Sequence, residues 1–242
     1  MPLTHLATGA AAGALTGALA VRPLAFHYTA PTSHPLPRRT CPHCDHPLNA
    51  TRPRDLRAIS LTRRCPHCTT RIGPAPLLPE ALAAVGFAAA LHGGGGPWVT
   101  AAQLWLATIG AVLVITDASV RRLPDHLTAA ASVGTALSLG AATASGANGS
   151  PIRAAEAAAI TSAVFFMLLL AGGLSMGDLK VAPPLATVLG WHSWSSVFWG
   201  LVAAFTLGAA HAAVVLGNNM RQRRIAFGPA LIIGTLAVTA IY

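Results

Sequence analysis

Acidic side chains are scarce in this chain, with seven Asp plus Glu among 242 residues, and lysine is represented by Lys180 alone. Charged residues make up 10% of the sequence, where soluble domains carry about 25%. So little charge beside 53% hydrophobic residues and a mean hydropathy of +0.57 excludes an ordinary soluble surface. The basic excess, 16 Lys plus Arg, does not make a nucleic-acid binder: fifteen are Arg and they sit mainly between apolar runs, where loop charge reports membrane topology.

What the sequence has in quantity is apolar length. Runs fall at about 4–21, 77–92, 97–116, 126–145, 155–174, 181–192, 194–217 and 225–242, most of them long enough to span a bilayer. The expected fold is an all-α, polytopic integral membrane protein of seven or eight transmembrane helices. The sixth run, VAPPLATVLGW, is short and holds Pro183 and Pro184, as expected of a broken or partly inserted helix. The sequence divides into a first transmembrane helix (1–22), a polar four-cysteine loop (23–76) and a membrane core (77–242).

With eight crossings and the first loop in the cytoplasm, fifteen of the sixteen basic residues fall inside and only Arg153 falls outside. This asymmetry sets both termini outside. The small residues of GALAVRP resemble a signal-peptidase site, but MPLTH lacks a basic segment and the Arg cluster follows the run, which favours a retained helix.

All four cysteines lie in the first loop, as Cys41-Pro-His-Cys44 and Cys65-Pro-His-Cys68 with twenty residues between the pairs. Two such pairs suit one tetrahedral zinc ion with every position filled, a structural site rather than a catalytic one. The loop is too polar to build its own core, so metal binding would supply its folding energy. Two disulfides are the competing reading, disfavoured in a reducing cytoplasm. His43, His46 and His67 are expected at the solvated rim, with replacement of a cysteine as ligand as the alternative.

Each acid in so apolar a chain needs a reason. Asp45 and Asp55 belong to the polar loop, and Glu80, Glu156 and Asp125 stand near helix starts, where an acid is favourable. Asp117 and Asp178 follow long apolar runs, and acids at a bilayer margin are costly and commonly functional. The topology brings both to the cytoplasmic face. If the third and fifth helices pack together, the two carboxyls can share one proton, the condition for aspartyl proteolysis. Two alternatives stand beside this: Asp117 pairs with Arg121 and Asp178 with Lys180, or the acids relay protons or ions in a transporter or channel.

Four segments in order carry a family resemblance: TDASVRRLPDHLT at 116–128, SMGDLKV at 175–181, the paired CxxC loop, and IAFGPALIIG at 225–234. Together they resemble the type IV prepilin peptidases, membrane aspartyl proteases with a GxGD motif. The resemblance implies that Asp117 and Asp178 are the catalytic pair and that Cys41, Cys44, Cys65 and Cys68 belong to the family's cytoplasmic insert. It implies an enzyme of the bacterial cytoplasmic membrane that cuts the basic leader of type IV prepilins or pseudopilins at the cytoplasmic face, after Gly and before an apolar helix. Many members also methylate the new N-terminus with S-adenosylmethionine, although the sequence carries no Gly-rich nucleotide motif of its own. Ser175 departs from the motif, standing where its first Gly is usual.

Gly172, Gly173 and Gly177 read either as an unwound end near Asp178 or as close helix packing. His211 reads as an interhelical hydrogen-bonding group, with a proton path as its alternative. Trp98, Trp191, Trp194 and Trp199 are expected in an interfacial belt.

Overall fold

In a computed structural model of the chain, the described residues are 3–29, 40–48, 62, 64–121, 123–218 and 227–241. Each apolar run contributes helix. The first is continuous from α1 (Leu3–Thr16) through a π-helical turn (Gly17–Val21) into α2 (Arg22–Tyr28). There follow α3 (Leu78–Gly93), α4 (Pro97–Val120), α5 (Asp125–Ala144), α6 (Pro151–Leu170), α7 (Met176–His192), α8 (Trp194–Asn218) and α9 (Gly228–Thr239). Five spans are long and apolar enough to cross a membrane, and α3 and α9 are shorter apolar helices. The chain is an all-helical integral membrane protein.

Small residues let these helices approach. Gly9, Gly13 and Gly17, at four-residue spacing on α1 and the π turn, lie directly against the α3 backbone at Ala88, Ala83 and Glu80. Beside this seam Arg22 makes a two-pronged ion pair with Glu80, at 2.8 and 2.6 Å. At the centre of the bundle stands α4, whose stretch from Ile109 to Asp117 is buried throughout.

The seventh helix differs from expectation in its start. It begins at Met176 and runs unbroken to His192 with both prolines inside it, because its two ends are held from outside the backbone ladder. At the first turn Ser175 and Asp178 form a reciprocal capping box. At the last, Arg153 donates to the carbonyls of Gly190, Trp191 and His192, each at 2.7 Å. Asp178 therefore opens α7 instead of trailing α6, and it meets α4 through α7 rather than through packing of the third and fifth runs. The principal partner of α6 is α7.

Other expectations are also corrected. Trp191 does not face outward as a belt residue would: it is buried, with its indole N–H donating to the Asn148 carbonyl at 3.0 Å, whereas Trp98, Trp194 and Trp199 are exposed. His211 faces outward from α8 instead of bonding between helices. Gly172 has φ of 77°, the left-handed conformation that closes the C-terminus of α6, with the Gly172 and Gly173 N–H groups donating to the carbonyls of Leu169 and Leu168. It ends a helix, and an added Cβ there would meet open space among the described residues.

Candidate active site and metal lobe

Both singled-out aspartates are buried, Asp117 to 6% exposure and Asp178 to 4%. Asp117 lies one turn before the end of α4, and Asp178 lies in the first turn of α7. Gly177, next to Asp178, and Gly228, which lies against Asp117, both approach Leu123, so the fold brings the two acids to one junction of α4, α7 and α9. They are held differently. One oxygen of Asp178, Oδ2, accepts from the Ser175 backbone N–H at 3.0 Å and from its hydroxyl at 2.7 Å. Among the described residues, Oδ2 of Asp117 is buried with no hydrogen-bond partner.

Gly228 borders that oxygen. A Cβ added at Gly228, the first residue of α9, would lie 2.8 Å from Asp117 Oδ2 and 3.5 Å from Leu123 Cδ1. The same Leu123 methyl would lie 2.7 Å from a Cβ at Gly177. Leu123 thus fills the space between the α7 and α9 starts, while the absent side chain of Gly228 leaves room for the carboxyl. The turn that delivers Leu123 is made by Arg121 in the left-handed region at φ 52°, its N–H donating to the Asp117 carbonyl at 2.8 Å.

The competing account, in which each acid is neutralised by a nearby base, is not what the side chains do. Lys180 pairs with Asp125, Nζ to Oδ1 at 2.6 Å, and among the described residues Asp117 closes no ion pair with Arg121. At Ser175 the backbone is extended (φ −97°, ψ 159°), a conformation open to any residue, so a serine in the usual place of glycine brings no strain and adds a cap. Sequence reasoning did not assign Leu123, Gly228 or the capping role of Ser175. The S-x-x-D spacing was the available signal for the last.

The four cysteines also come together. Their sulfurs lie within 4.8 Å of one another, with Cys41–Cys68 at 3.7 Å and Cys44–Cys65 at 3.8 Å. A tetrahedron with metal–sulfur bonds of about 2.3 Å has edges of about 3.8 Å, so the thiols fit a closed four-sulfur metal site. Each pair is built alike. In the first, Cys41 N–H donates to the His46 carbonyl and Asp45 N–H to the Cys41 carbonyl; in the second, Cys65 N–H donates to Thr70 and Thr69 N–H to Cys65. Asp45 and Thr69 both adopt positive φ, 52° and 57°, at the matching position after the second cysteine.

Hydrogen bonding from Thr70, through its hydroxyl and its backbone N–H, holds the Cys68 thiol down to about 6, while burial pushes the Cys41 thiol up. His43 and His67 are exposed and His46 is half-buried, its ring stacked on His67 at 5.3 Å. Phe26 of α2 is buried with Cys41, Cys65, Leu48 and Ile72, which docks the lobe onto the end of the first helix.

These features define a class: a polytopic membrane protein with two acids buried where three helices converge, and a four-thiol lobe attached to its first helix. The profile of the type IV leader peptidase family matches residues 104–217, a stretch that holds both aspartates. A "prepilin leader peptidase/N-methyltransferase" of Burkholderia pseudomallei strain 1026b is 33% identical over 215 residues, covering 84% of this chain and 66% of the relative. Proteins of the same description from Aeromonas hydrophila and from Aeromonas salmonicida strain A449 are 32% and 31% identical over 214 residues, each covering 82% of this chain and 69% of the relative. No solved structure matches. The chain belongs to the type IV leader peptidase family, and it spans slightly under two thirds of the length of the Burkholderia relative.

Proposed function

We propose that the chain is a membrane aspartyl endopeptidase that removes the basic leader of type IV prepilins or pseudopilins, cutting after Gly at the cytoplasmic face of the bacterial cytoplasmic membrane. The observation that carries the proposal is the asymmetric pair: Asp178 held by Ser175, and at the same helix junction Asp117, whose buried Oδ2 is bordered by Gly228 and takes no side-chain hydrogen bond among the described residues. The pair shares one proton. The ionised carboxylate takes a proton from water as its oxygen attacks the peptide carbonyl carbon, and the protonated carboxyl donates to the carbonyl oxygen. Collapse of the tetrahedral intermediate breaks the C–N bond as the amine nitrogen receives a proton. Burial keeps bulk water from screening these transfers.

Zinc is the proposed occupant of Cys41, Cys44, Cys65 and Cys68, where it would supply folding energy to the lobe and take no part in the cleavage. An N-methyltransferase activity, which the relatives' descriptions name, is proposed as a second activity, with S-adenosylmethionine as the methyl donor to the new N-terminus and no residue assigned to it. The test is cleavage of a prepilin-like substrate by purified protein in detergent. Native protein should cut after the leader Gly, and Asp117→Asn and Asp178→Asn should each reduce cleavage by at least about 10³-fold, the scale expected on losing proton transfer. Normal cleavage by either variant refutes the assignment.

A further inference from the structure

Along one flank of the bundle runs an open trough of about 250 Å³ between α3, α4 and α9. All its lining residues are Leu, Ile, Val, Ala or Gly. On α3 they fall at Leu78, Ala81, Leu82, Val85, Gly86 and Ala89, one helical face about three turns long. The trough opens sideways, with Val85 70% and Ile233 42% exposed. It has room for side chains and not for a whole helix, so an occupant must lie over the opening and plug it with one face.

Two observations say which occupant. First, the trough leads to the carboxyls: Val114 in its wall stands three residues before Asp117 on α4, and Ile232 stands four residues after Gly228, where an added Cβ would press on Asp117. Second, its direction is that of a substrate. From the carboxyl end it runs away along α4 and α9 to Ala107 and Ala237, the path of a helix that begins at the cleaved bond and enters the membrane. A lipid acyl chain would require neither the alignment nor the junction with the acids.

We propose that this trough seats the apolar helix immediately following the cleavage site of the precursor, so that the peptide bond at its N-terminal end reaches Asp117 and Asp178. The inference rests on the protease reading above. Leader and helix are then recognised separately, the helix by shape and apolar contact and the scissile bond by the acids.

The test uses the full chain in liposomes with two peptides. One carries a basic leader, the cleavage site and an apolar helix of about 20 residues. The other stops after the cleavage site. Ala237→Trp and, independently, Ala81→Trp fill the trough from exposed positions, and a benzophenone side chain at Val85 reports what lies in it. Filling should raise KM for the long peptide about tenfold, kcat should change less than about twofold, and cleavage of the short peptide should be unaffected. Crosslinks from position 85 should go to the helix of the long peptide. Unchanged KM in both filled variants, or crosslinks only to lipid or to a second copy of this chain, overturns the trough assignment while leaving the protease reading intact. Failure of the native protein to cut either peptide overturns the protease reading itself.

Discussion

At the scale of single residues, the two acids are distinguished by what touches them. Gly228 sits where a methyl group would press on Asp117 Oδ2. Gly228→Ala should therefore lower kcat about 10- to 100-fold, as small displacements of reacting groups do, while the protein still purifies as a folded species with a similar Tm. Ser175→Ala removes the cap of α7 and a hydrogen bond to Asp178, and thermal unfolding should show a loss of about 1 kcal/mol. Ser175→Gly should lose only about a few tenths. Asp117 and Asp178 were legible in the sequence because acids are so rare among apolar runs. Gly228 was not, since the need for a missing Cβ arises only when α9 is laid against α4, and no periodicity records that approach.

Among the helices, α7 is the one whose backbone depends most on its neighbours. Pro183 and Pro184 supply no N–H groups to the ladder, and the helix persists because a capping box holds one end and Arg153 the other. Arg153→Ala would strip three carbonyls of a charged donor and should cost about 2–4 kcal/mol, read as a lowered Tm, with Arg153→Lys restoring only part. The prolines misled the sequence reading in an instructive way. The apolar run begins at 181 and its prolines suggested a broken or partly inserted helix, but a proline forbids nothing about residues ahead of it when another element supplies the order. The meeting of α4 with α7 escaped for a related reason: run lengths count the helices, and packing between them is decided by small residues such as Gly177 and by single side chains such as Leu123.

For the molecule as a whole, the bundle and the thiol lobe have separate cores joined at Phe26. Metal analysis should return about one zinc per chain, and chelation should open the lobe to proteolysis while the helical circular dichroism is largely retained. Substituting any one of Cys41, Cys44, Cys65 or Cys68 by serine should have the same outcome. The number of helices and the thiol cluster were readable because apolar length and CxxC spacing are local quantities. The junction through Phe26 was not, being a contact between an aromatic on the first helix and sulfurs beyond it in sequence. The carboxyl site draws on α4, α7 and α9, and α9 leaves the ribosome after the other eight described helices. A chain still being inserted thus holds its two acids without the Gly228 wall that completes their surroundings. Completion of the acid pocket thus waits on the docking of α9, and under the proposed function a chain in which that helix is unpacked would not cleave.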